Sequence, residues 1–174
     1  GGPPADAARR THKAPPQPQM QDFASAEEIL RWINGYRDEP QPDRLAAAVQ
    51  AMSRLGLLRD MDGAGVYVGF TAGVLGDNQL EAERLVAGMF PLAPEEQGLV
   101  IKAIIYSGLP DRLALLQGVA ERMPARRKLV DAYLTGKEPG LMQLPLDSGP
   151  AAIDTLWGFY FATGAYQPVE RLVQ

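Results

Sequence analysis

The sequence predicts an all-α domain of about eight or nine helices, arranged as antiparallel helix pairs or as an irregular helical bundle. Three observations carry this. Apolar residues recur at helical spacing from Ser25 onward, helix-opening caps and helix-closing glycines punctuate them, and the strand-like run Val100 to Tyr106 is itself flanked by a helix start and a helix stop.

Taken in order, the first helix opens at Ser25-Ala26-Glu27-Glu28, where a cap serine and a glutamate three residues later can satisfy orphan amides. Ile29, Trp32, Ile33 and Tyr36 follow on one face. A second starts near Pro42, presents Leu45, Val49, Met52 and Leu55 to a core, and ends at Gly56; its outer face carries Arg44, Gln50 and Arg54. Residues 63 to 76 carry no charge, and Gly65, Gly69 and Gly73 recur every fourth position. Bare backbone along one helix face lets a second helix approach closely, so this is expected to be a central buried helix. At 14 residues it falls short of the ~20 that cross a bilayer, and no other stretch reads as a transmembrane segment.

Amphipathic helices are then expected around Ala82, Leu85, Val86 and Met89, around Val100, Ile101, Ile104 and Ile105, and around Leu113, Leu116, Val119 and Met123. Leu129, Val130, Tyr133 and Leu134 form a short one ending at Gly136. The Lys137 to Gly149 loop holds Leu141, Met142, Leu144 and Leu146 and is expected to pack down. The last pair runs from Pro150 through Ile153, Leu156, Trp157, Tyr160 and Phe161 to Gly164, then restarts at Pro168 with Val169, Leu172 and Val173.

Residues 1 to 19 are different in kind. They hold five of the 15 prolines and no large apolar side chain, so they cannot bury enough surface to offset their ordering entropy. They read as a disordered Pro/Ala-rich tail ahead of a single helical domain over 20–174. The tail suits either the mature start of an exported, periplasmic protein or an extension of a cytosolic one starting at Met20. The first is favoured, and the compartment stays unknown. The last expected helix runs to Gln174, so either a partner covers that end or the chain continues.

Composition narrows the chemistry. With no cysteine there is no disulfide, thiolate nucleophile or Cys-based zinc site. The one histidine, His12, lies in the tail, so no Ser/His/Asp or Cys/His arrangement can be built in the domain. Asp60-Met61-Asp62-Gly63 lacks the later ligands of a calcium loop and reads as a turn. No Gly-Lys-Ser/Thr follows the glycines to cradle phosphate. Neither a cofactor nor a metal is expected. The net charge is −4, and the basic tail leaves the domain more acidic still, which argues against nucleic acid as partner.

Three apolar helices end in glycine, at Gly76, Gly108 and Gly164, and each precedes an amphipathic helix, but the spacings of 32 and 56 residues give no fixed period. Leu156, Tyr160, Gly164, Tyr166, Val169 and Val173 resemble the helix-turn-helix of the tetratricopeptide repeat, mainly over residues 153–173. Trp157 stands where that family has a glycine after its leucine. The resemblance implies a degenerate α-solenoid whose concave surface holds a peptide or protein.

The expected function is therefore a non-catalytic helical module for a protein or peptide partner. Its candidate binding residues are Trp157, Tyr160 and Tyr166, from an aromatic group too large for one helix face, and Arg126 and Arg127, from the cluster Arg122, Arg126, Arg127, Lys128. Core packing and solvated helix ends compete with those readings. Two alternatives stand beside it: a structural or self-assembling subunit, with oligomeric state open, and an enzyme with a cryptic carboxylate site, for example on cell-wall glycan. Glu121 and Glu170 are the glutamates weighed for the last, and both fall on the expected polar face.

Overall fold

The computed structural model describes residues 23–173. The expected tail with His12, together with residues 20–22 and Gln174, lies outside them. Among the described residues there are nine α-helices and no strand: α1 Ala26–Gly35, α2 Leu45–Arg54, α3 Gly65–Asp77, α4 Ala82–Ala87, α5 Gly98–Tyr106, α6 Arg112–Val119, α7 Arg127–Leu134, α8 Pro150–Thr163 and α9 Tyr166–Glu170. Short 3₁₀ turns open or link most of them.

The start of α1 shows the local logic. Ser25 Oγ accepts the Glu28 amide at 3.2 Å, and the Glu28 carboxylate accepts the Ala24 amide at 3.0 Å. The capping box thus closes one residue earlier than the Ser25 amide itself. Ser25→Ala is expected to cost about 1 kcal/mol and to lower the thermal midpoint by roughly 3 °C, measurable by circular dichroism.

The glycine stripe defines the centre. Ten of the 13 residues of α3 are buried, and its glycines face α8. A Cβ on Gly65 would lie 2.6 Å from the Ala151 carbonyl oxygen, one on Gly69 would strike the Thr155 carbonyl, and one on Gly73 would lie 2.6 Å from Ala162 Cβ. From the other side, Gly158 sits against the Val66 carbonyl. Contacts that climb both helices together mean that α3 and α8 run parallel, although some 85 residues separate them. Close backbone approach gives dense dispersion contact along the whole pair.

A third helix also packs along α3. Met61, just ahead of α3, packs on Gly98 at the start of α5, while Gly76 near the end of α3 faces the Ser107 carbonyl just past α5. So α5 is parallel to α3 as well, and the lateral order is α8, α3, α5. These are the three apolar helices that end in glycine at Gly164, Gly76 and Gly108. They stack around α3 rather than in chain order.

Eight of the nine residues of α5 are buried, so it is apolar almost all round rather than amphipathic. The remaining helices clothe this centre: α6 and α7 pack on α5, α4 on α2 and α3, and α1 and α9 on α8. α1 is also fixed by edge-on rings, with Trp32 and Tyr36 each about 5 Å from Phe70.

Three expectations about faces change. On α2, Arg44 and Gln50 are half-buried: Arg44 stacks 4.5 Å over Phe23, and Gln50 donates to the Met89 and Pro91 carbonyls. On α6 the core face is Leu116 and Val119, and Leu113 is exposed. On α8 the buried residues are Ala152, Thr155, Leu156, Gly158 and Ala162, so the helix turns its small side inward and leaves Ile153 and Trp157 outside. α9 begins at Tyr166, two residues before Pro168. The 137–149 loop packs down as expected: Leu141 and Leu144 are buried, and Arg171 donates to both of their carbonyls.

Candidate functional site

Because α8 must offer its small residues to the glycines of α3, its large ones have to face elsewhere. Trp157 stays 40% exposed, with the Tyr160 ring 5.9 Å away and Phe161 at 6.4 Å. Tyr160 is half-buried beneath the Arg37 guanidinium, 4.6 Å from its ring centre. Tyr166, on α9, is exposed but touches no other ring among the described residues. Within the tetratricopeptide-like positions, Leu156 and Val169 are core and Gly164 adopts the left-handed conformation.

Arg126 and Arg127 stand elsewhere, at the entrance to α7, whose packing is on α5 and α6. Arg127 pairs with Asp131 at 3.1 Å, Arg122 stacks 4.2 Å over Phe90, and Arg126 Nε is buried without a hydrogen bond. The aromatic and basic candidates thus belong to separate regions. Glu121 and Glu170 are both exposed and line none of the clefts described below. Asp60 caps a 3₁₀ turn by accepting the Asp62 amide, as a turn reading requires.

The structure adds three concave features. A groove of about 460 Å³ runs between the segment Gln79–Glu83 and α6. Its walls are Leu80, Ala82, Ala114, Leu115, Gly118 and Val119, and its rim holds Glu83 and Asp111. Leu80 is 96% exposed. An isolated exposed leucine needs no explanation, but Leu80 shares this groove with half-buried Leu115, so apolar side chains line it with no covering partner among the described residues. The signal in sequence was Leu113-Ala114-Leu115-Leu116, apolar on more sides than one core can cover.

A second cleft, about 480 Å³, lies where the C-terminal ends of α3 and α8 meet the chain after α1; Tyr36, Arg37, Pro40, Asp77, Asn78 and Gly164 border it. Burial, then the negative charge of Asp77, pushes the Tyr36 phenol up to about 12. The Tyr36 hydroxyl is buried and has no well-formed hydrogen bond, the Gln41 amide facing it only loosely. Desolvation raises the Asp77 carboxyl above the ordinary aspartate value.

The third, about 210 Å³, sits under the 137–149 loop. There the hydroxyls of Tyr106 and Tyr133 bond at 3.2 Å, both phenols raised chiefly by burial.

Among the described residues no three acidic or histidine side chains converge as a metal cage, and no helix is long and apolar enough to cross a membrane. No protein-family model, curated protein or solved structure is detectably similar to this chain. What the fold defines is a class, the all-α bundle with a parallel three-helix centre.

Proposed function

We propose that the chain is a helical interaction module that binds a protein or peptide partner in the groove between Gln79–Glu83 and α6. The observation that carries this is Leu80, held almost fully in water at the edge of a trough lined by the small or apolar Ala82, Ala114, Leu115, Gly118 and Val119 and by the polar Gln79, Glu83 and Asp111. Ala82, Ala114 and Gly118 leave room there for a partner's side chains. Glu83 and Asp111 on the rim pair with no cation among the described residues, so a partner segment with apolar anchors flanked by Lys or Arg complements it. A second copy of this acidic chain would bring carboxylates against carboxylates, which disfavours self-assembly through this face. The outward face of α8 with Trp157 and Tyr160, and Tyr166 on α9, form a second surface of the same module. We read α8, Gly164 and α9 as its tetratricopeptide-like unit.

Affinity capture from native extract tests the reading. Leu80→Asp should leave helicity unchanged, because the side chain touches water rather than core, and should reduce partner recovery at least about tenfold. Trp157→Ala should reduce it less, and raised salt should weaken capture by the wild-type chain. Undiminished recovery by Leu80→Asp would remove the groove from the proposal.

A further inference from the structure

The cleft bordered by Tyr36, Arg37, Asp77 and Gly164 shares no wall with the groove at Leu80 and has a different chemistry. Arg37 is its cationic end. The guanidinium lies over the Tyr160 ring and is backed by Gly164, where an added Cβ would come within 3.0 Å of Nη1. Gly164 also has φ +67°, so this position needs glycine twice over: to end α8 and to let Arg37 lie flat. Held by stacking, the guanidinium makes no hydrogen bond or ion pair with any described residue, and its N–H donors stay unspent.

Asp77 is the anionic end. It borders the same cleft, at the last residue of α3, and does not close on Arg37 as an ion pair. Opposite charges bordering one open cleft, neither in an ion pair with any described residue, suit a ligand that carries both. A simple anion such as phosphate would meet Arg37 but also the Asp77 carboxylate and the negative dipole ends of α3 and α8. A simple cation would meet Arg37. We propose that this cleft binds a small zwitterion of the amino-acid class, a free α-amino acid or a dipeptide, with its carboxylate on the Arg37 fork and its ammonium on Asp77. At ~30 Å³ per water the cleft holds the volume of about sixteen waters, room enough for either.

Isothermal titration of the whole chain separates the cases, using L-alanine, L-leucine, alanyl-alanine and leucyl-alanine. N-acetyl-alanine, alanine amide and inorganic phosphate are the single-charge controls. Saturable binding of the amino acids alone identifies a free amino acid, and binding of the dipeptides alone identifies a dipeptide. In either case Arg37→Gln and Asp77→Asn, each checked for unchanged helicity, should weaken binding at least about tenfold, and the single-charge controls should bind no better than the variants. The proposal is overturned by no heat from any zwitterion at about 10 mM, by controls that bind as well, or by binding that survives both substitutions.

Discussion

Gly158→Ala is expected to destabilise the domain severely for a single added methyl. Its Cβ would strike the Val66 carbonyl and lie 2.8 Å from the Phe70 amide nitrogen, and both belong to the backbone of α3. A flexible side chain could swing aside; a helix backbone can only move as a body, separating α3 from α8 along their shared length. Overpacking of this kind costs about 3 kcal/mol or more, roughly 10 °C in the thermal midpoint of a domain this size. Gly69→Ala, aimed at the Thr155 carbonyl, should behave alike. Gly118 in α6 is the control, since nothing lies within 4 Å of its Cβ position. There alanine only removes backbone freedom, and the same measurement should show a gain of about 0.5–1 kcal/mol. Equal midpoints for Gly158→Ala and the wild type would mean that the two helices do not meet as closely as their glycines imply.

The same packing explains what could be read beforehand. The stripe Gly65, Gly69, Gly73 announced a central helix because glycine every fourth residue has few other uses. Its partner could not be read, since α8 lies some 85 residues on and its small residues Ala152, Thr155, Gly158 and Ala162 are interleaved with Ile153, Leu156, Trp157 and Tyr160. A helix apolar on every side has no periodicity with which to choose a face. Size then misleads: the large residues look like core, but the bare backbone of α3 admits only the small ones. The same ambiguity placed Leu113 inside and gave α5 a polar face it lacks.

The candidate surfaces follow that pattern. An excess of aromatics on α8 was visible in sequence, and the exposure of Trp157 follows from it. The groove at Leu80 was not visible, because it depends on how a 3₁₀ turn before α4 faces α6, some 30 residues away. Still less could Arg37, Asp77 and Gly164 have been grouped, since three distant segments meet there only once α3 and α8 run parallel and end together.

Raising the pH beyond about 10 is expected to unfold the domain in a steep transition, and tyrosine burial is the cause. Tyr36 is held at about 12 by burial and by Asp77; Tyr67 and Tyr106 are raised by burial, and Tyr133 is raised further by burial and its contact with Tyr106. In each case the folded chain keeps its phenol proton more tightly than the unfolded chain, whose phenols titrate near ~10. The stabilisation is therefore complete below about pH 10 and is lost as pH rises through the folded values. All four phenols act in the same direction, against a total stability of only about 5–15 kcal/mol. Helical dichroism and tyrosinate absorbance should change together over this range. Tyr36→Phe should move the midpoint upward at little cost near neutral pH, because the hydroxyl it removes has no well-formed bond to lose. Independent titration of the phenols around pH ~10 with helicity intact would show that these rings are reached by solvent in the folded state, contrary to the packing of α1, α3, α5 and α7.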